Sequence, residues 1–303
     1  VTHRLALIAA LAATTLPGCR TIAVRAAADA VASSGDTYAR DDDPELVRQA
    51  IPFGLKTMEG LLAEQPEHVP LLLALASGFT QYGYAFVQAD ADAADLAGRL
   101  GQARAGRDRA RRLYLRARDY GLRGLEARHR GLSGKLRSAR DPTRALAVAG
   151  REDVPLLYWT ASAWALAISN GKGDMALVAE LPVPVAMMTR ALGLDEAFDQ
   201  GAIHEFFVAF DATRGAAEGG GRERAREHLD RALALSMNAK LGPRVSFAEG
   251  VLVQAQDRAE FTRVLEEVLR ADPDAAPRHR LANVLAQRRA RLLLDHADDL
   301  FLE

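Results

Sequence analysis

The apolar residues of this chain recur every three to four positions and nowhere in sustained strict alternation. Phe261, Val264, Leu265, Val268 and Leu269 fall at i, i+3, i+4, i+7 and i+8, which places all five on one face of an α-helix. Leu72, Ala76, Phe79, Gly83 and Phe86 keep the same period, as do Leu157, Ala161, Trp164 and Ile168. No Asn-Gly hairpin signal interrupts them. Ala, Leu and Arg, all strong helix formers, dominate the 303 residues. An all-α fold is therefore expected. The composition, 49% apolar and 26% charged, is that of a soluble globular protein long enough to bury a core. A formal net charge of −1 gives no reason to expect a nucleic-acid partner. A single cysteine excludes a disulfide framework and any zinc site with two or more cysteine ligands.

Helices are expected over about 44–65, 70–88, 92–128, 153–169, 183–192, 202–214, 223–236, 243–256 and 277–299, with the 261–269 run between the last two. Asp43 is a plausible N-cap for the first, with Pro44 at its first helical position. Loops are marked at 131–142, 170–174 and 215–221. A repeat is visible as well. The segment 62–70 (LAEQPEHVP) matches 269–277 (LRADPDAAP), each reading as helix, Pro turn, and a helix opening on Pro. Their offset of 207 residues is close to six tetratricopeptide periods of roughly 34. A second likeness joins 228–235 (HLDRALAL) to 264–271 (VLEEVLRA). Helix pairs of this kind stack because neither member buries its apolar face alone. The Trp and Gly-Tyr positions of the full consensus are absent, so the expectation is a degenerate tetratricopeptide-like array of stacked antiparallel helix pairs.

Residues 1–18 read as a signal peptide: a basic His3-Arg4, then a nine-residue apolar run (LALIAALAA) too short to span a bilayer. It ends at Leu16-Pro17-Gly18-Cys19, which resembles a bacterial lipobox, making Cys19 the expected acylation site. A plain secretory signal with a spare thiol is the alternative, an awkward one in an oxidising compartment. Several acyl chains, at about 0.8 kcal/mol per buried CH₂, anchor a protein without a spanning helix. Residues 19–40 then form a lipidated tether and 41–303 a single helical domain. By likeness to Gram-negative lipoproteins, Arg20 rather than Asp after the cysteine points to the outer membrane and a periplasmic body.

Signals for chemistry are poor. No two of the seven histidines stand three or four apart on a helix, and His204-Glu205 lacks the second histidine of a zincin. There is no Gly-x-Ser-x-Gly motif, no Walker loop and no nucleophile beside a base. The triple glycine 219–221 before a helix reads as a flexible loop rather than a phosphate nest, and Asp41-Asp42-Asp43 lacks the rest of a calcium loop. The chain is expected to be non-enzymatic, with no cofactor and no metal. The arginines between 104 and 123 read as a solvated helix face, because Arg outnumbers Lys 35 to 4 throughout the chain.

Aromatic residues are sparse and bunched, at 79–86 (FTQYGYAF), 158–164 (YWTASAW) and 204–210 (HEFFVAF). Each bunch occupies more than one helix face. Core packing is the ordinary reading; an apolar ligand channel between helices is the other.

Together, the lipobox at Cys19, the stretches 79–86 and 157–164, and the closing 283–293 (NVLAQRRARLL) resemble the T component of the TPR-associated TRAP transporters, over about 40–300. That resemblance implies a lipid-anchored periplasmic lipoprotein of helical, tetratricopeptide-like fold. It would dock the periplasmic solute-binding subunit, hold or pass a small organic ligand between its helices, and oligomerise, with a trimer as the implied form. Tyr82, Tyr84, Tyr158, Trp159 and Trp164 would line the ligand path. Gln81 and His204 would add polar contacts, and Arg288 could fork onto a ligand carboxylate. The competing reading is a structural envelope-assembly lipoprotein with no ligand cavity.

Overall fold

Helices here begin where the sequence supplies a cap and end where it supplies a turn. In the computed structural model, which describes residues 35–138, 141–215 and 219–302 together with 25–26, 28–30, 32 and 217, a short helix α1 (Gly35–Ala39) precedes α2 (Pro44–Glu64). The Asp43 carboxylate accepts from the Glu45 and Leu46 N–H groups at 3.0 and 3.1 Å, satisfying donors that no earlier turn can reach. The signal peptide and Cys19 lie outside the described residues. Of the stretch expected to be a tether, Gly35–Ala39 is helical and Ala28 is buried.

Helix α3 (Val69–Tyr82) follows the turn at Pro66, capped by His68, whose Nδ1 accepts from the Leu71 N–H at 3.2 Å. It runs into a π-helical segment, Gly83–Gln88, and then α4 (Ala89–Leu96). The long region expected over 92–128 is broken: the chain turns at Gly98, which adopts φ +71, and α5 (Leu100–Arg128) starts afresh. Helices α6 (Leu132–Ser138), α7 (Val154–Ser169), α8 (Pro182–Leu194), α9 (Ala202–Ala212), α10 (Arg222–Leu235) and α11 (Gly242–Phe247) come next. A second π-helical segment, Ala248–Leu252, follows α11, and α12 (Arg258–Arg270) and α13 (Arg280–Asp295) complete the main elements. No strand occurs among the described residues. The fold is all-α, as the apolar period requires.

Three apolar clusters hold these helices. One, near the amino end, gathers Leu55, Met58, Leu62, Leu71, Leu72 and Leu75. The central one is built on Tyr114, Leu125, Leu157, Trp164 and Met187. The third joins Phe247, Phe261, Leu265, Val268 and Leu293. Helix α5 is the spine, packed against α3, α4 and α7. Its approach to α7 is close enough that a Cβ on Gly121 would stand 2.0 Å from Thr160 Oγ1, so only glycine allows that crossing. The two Pro-marked repeats behave differently. In 62–70, α3 already begins at Val69; in 269–277, two 3₁₀ turns, Pro273–Ala275 and Pro277–His279, follow the proline and intervene before α13. Asp272 caps the first of them by accepting from the Asp274 N–H at 2.9 Å.

Helix α13 returns to the start of the domain. It packs against α1 and α2, with Arg288 paired to Glu45 at 2.9 Å and Arg280 to Asp42 at 3.6 Å. Residues about 240 positions apart thereby face each other across a space.

Candidate functional site

That space is a cavity of ≈ 650 Å³. One wall comes from α1, α2, α3 and the π segment Gly83–Gln88; the other comes from α11, the π segment Ala248–Leu252 and α13, with Glu205 of α9 beside them. Ile51, Leu55 and Met58 face Leu281, Leu285 and Leu292, giving it an apolar body. Both π segments contribute to it, presenting Tyr84, Phe86 and Gln88 from one and Glu249 from the other. A π turn widens the helix by one residue and turns side chains off the ordinary stripe, a geometry frequent at functional sites. Gly83, which opens the first π segment, lets that segment lie close against α5, since a Cβ there would lie 2.8 Å from the ring of the buried Tyr114. Tyr114 in turn donates its hydroxyl to Gln88 Oε1 at 2.7 Å.

The charged lining is mostly paired. Arg48 forks onto Asp90 at 2.6 and 3.0 Å. Arg289 donates to both carboxylate oxygens of Glu249, one contact being 3.1 Å, and stands 3.9 Å from Asp92. Asp92 is also held by Arg107 at 3.2 Å. Burial pushes the Asp92 carboxyl up against the pull of Arg289, and burial likewise raises Glu205 despite Lys240. Tyr84 retains 55% of its surface and lines the cavity. Its hydroxyl is pushed up to about 12, first by desolvation and then by Glu249, Glu205 and Asp92, with Arg289 opposing. The cavity thus has an apolar body and a polar end of net negative character.

All of these walls except α1 fall within a stretch that matches one family. A family model described as the TRAP transporter T-component matches residues 40–301. The chain belongs to that family. It is also 31% identical over 271 residues to an uncharacterized protein of Treponema pallidum (strain Nichols), covering 88% of this chain and 83% of the relative.

In this T-component the residues singled out from sequence fall into two groups. Gln81, Tyr84 and Arg288 line the cavity, although Arg288 is already engaged with Glu45. Tyr82, Tyr158, Trp159, Trp164 and His204 do not line it. Tyr82 packs on Phe86 with centroids 5.8 Å apart, and its ring supports the apolar clusters. Tyr158 lies edge-on to Trp159 and against Phe198. Its hydroxyl is raised by burial and then by the charges of Glu205 and Asp199, so it sits behind the polar end of the cavity. Trp164 is a core residue at 1% exposure. Sequence reading missed Glu205, Asp92, Glu249 and Arg289. The one signal available was an acid inside the aromatic bunch 204–210.

His204 belongs to a separate cluster. Its Nδ1 meets His228 Nδ1 at 2.8 Å, and its Nε2 meets Glu196 at 3.1 Å. His228 stacks on Phe207, and its Nε2 is 3.6 Å from Asp211, too far for a hydrogen bond. Desolvation, then His204 and Arg224, lower His228 to about 4. The sign follows directly. The unfolded chain takes up this proton near pH 6.5 and the folded chain does not, so this site stabilises the fold above about 6.5 and progressively less toward about 4. His228→Phe is expected to flatten that fall, a loss on the order of 3 kcal/mol in the wild type. Denaturant midpoints between those pH values measure it; parallel pH curves for both proteins would refute it.

Proposed function

We propose that this T-component is a lipid-anchored periplasmic accessory subunit of a TRAP transport system. In this reading it docks the solute-binding subunit and holds a small organic ligand in the cavity between α2, α3 and α13. Residues 1–18 are the signal peptide, acylated Cys19 and the tether to residue 40 fix it to the outer membrane, and 41–303 form one domain stacked as a degenerate tetratricopeptide-like array. Assembly as a trimer and a non-enzymatic role belong to the same reading. Family membership supports the transport role. The observation that carries the ligand role is the cavity itself: ≈ 650 Å³ falls within the size range of sites for small molecules, as does an apolar body with few polar groups. A purely structural envelope lipoprotein has no need of such a space.

Filling the cavity tests the reading. Ala282 lines it and is exposed to it, so Ala282→Trp should occupy the space without disturbing the three apolar clusters. The variant is expected to lose binding of the neutral fluorescent probe N-phenyl-1-naphthylamine at least about tenfold. It should still retain the solute-binding subunit of its transport system in a pull-down. Unchanged probe binding in the folded variant would refute the ligand role, and failure of the wild type to retain that subunit would refute docking.

A further inference from the structure

The charges around the cavity do not cancel in place. Of the arginines that line it, Arg48 is held by Asp90, Arg288 by Glu45 and Arg289 by Glu249, while Arg278, exposed on the 3₁₀ turn Pro277–His279, is not among the charges that act on Glu205. Of the carboxylates, Asp90 and Glu249 have those arginines, and Asp92 has Arg107. The Glu205 carboxylate has no hydrogen bond or ion pair with any described residue; only its backbone N–H is bonded, to the Gly201 carbonyl. Its carboxylate reaches across the start of α11, 2.6 Å from where a Cβ on Gly242 would stand. Lys240, the cation whose field acts on it, is committed elsewhere: its Nζ donates to the Asp199 carbonyl at 2.6 Å and to the Asp199 carboxylate at 2.9 Å. Tyr84 adds a hydroxyl in the same field.

A carboxylate enclosed by protein without a counter-ion is costly, and its cost is relieved when a cation arrives with its own hydrogen-bond donors. The opposite choice, an anionic ligand, would have to bring negative charge to an end where three carboxylates, Glu205, Glu249 and Asp92, stand against two guanidinium groups, Arg289 and Arg107. We infer that the cavity selects amphipathic organic amines, with the ammonium at the Glu205 carboxylate beside the Tyr84 hydroxyl and the hydrocarbon along Ile51, Leu55, Leu281 and Leu285. This deepens the reading of the cavity as a ligand site and rests on it. The expectation that Arg288 would fork onto a ligand carboxylate is replaced here by the opposite charge preference, because Glu45 already holds that guanidinium.

Competition against N-phenyl-1-naphthylamine near neutral pH, with the wild-type chain and Glu205→Gln, decides the matter. The competitors are octylamine (protonated under these conditions), octanol and octanoate. In the wild type octylammonium should displace the probe roughly tenfold to a hundredfold more effectively than octanol, with octanoate weakest, as expected for one charge-assisted hydrogen bond in a desolvated site. Glu205→Gln should remove that preference while leaving octanol unchanged, which also shows that the variant is folded. Octanoate or octanol binding as well as the amine in the wild type, or a preference that survives Glu205→Gln, overturns the inference while the cavity remains a ligand site. If none of the three displaces the bound probe, the inference fails while the ligand reading still rests on the Ala282→Trp result; if the wild type binds no probe, both fail together.

Discussion

Trp164→Ala is expected to lower the unfolding free energy by about 3–5 kcal/mol, among the largest effects a single side chain can have here. The ring is 1% exposed in the middle of the central apolar cluster. Truncation removes its contacts and leaves a cavity that the surrounding helices only partly close. Two polar consequences add to that. The indole N–H donates to Glu180 Oε2 at 2.7 Å, and the Arg118 guanidinium lies 5.1 Å from the ring centroid, a cation–π arrangement. Without the ring, Arg118 keeps only its contacts to Asp119 and Glu180. The measurement is a denaturant midpoint at unchanged m-value, with Trp164→Phe recovering much of the loss. A midpoint corresponding to less than about 1 kcal/mol, combined with lost probe binding, would instead make Trp164 a wall of a ligand path.

The contrast between Trp164 and Tyr84 marks where the sequence stops being readable. Both stand in aromatic bunches, but Trp164 lies on the apolar stripe of Leu157, Ala161 and Ile168, while Tyr84 lies one residue off the stripe that carries Phe79, Gly83 and Phe86. What separates them is what covers each face: Trp164 packs into the central cluster, whereas Tyr84 shares the face of Ala74, Ser77, Gly78 and Gln81 that lines the cavity, and nothing local says which element lies across from it. Local signals were legible at the caps and along the clean apolar runs, though not at the Gly98 turn that splits 92–128. Asp43 caps α2 as its side-chain chemistry demands, and the flawless run from Phe261 to Val268 is buried along one face of α12. Long-range placement was not. The cavity exists because α13 returns to α2, with Arg288 meeting Glu45 across 243 positions. His204 and His228 meet although 24 residues separate them, a pairing invisible to any search for histidines on one helix turn. The arginines of α5 divide in the same way. Arg104, Arg109 and Arg112 are exposed, as a solvated face requires. Arg107, Arg116 and Arg118 instead reach carboxylates on other elements, at Asp95, Glu59 and Glu180.

Asp153 combines such a long-range link with a pH signature of definite sign. Its carboxylate is fully buried just before α7 and accepts from three donors: Arg128 Nη1 at 2.9 Å, His129 Nε2 at 2.8 Å and the Gly150 N–H at 2.8 Å. Arg128 and His129 close α5, so this one side chain ties the end of α5 to the start of α7. Removing it leaves the Arg128 guanidinium and the Gly150 N–H without their acceptor. Asp153→Ala is therefore expected to cost about 3–5 kcal/mol, as for one partner lost from a buried ion pair. Desolvation alone would raise this carboxyl, but the Gly150 N–H, His129 and Arg128 together outweigh it and hold it below its ordinary value. The stabilisation is then complete above the unfolded pKa of about 4 and drains away as pH falls through the lower folded value, where the folded chain must also take up the proton. The stability gap between the wild type and Asp153→Asn should accordingly be widest near neutrality and shrink in acid. A gap that stays constant from neutrality into acid would mean that Asp153 acts through shape alone, and that its charge does not hold α5 against α7.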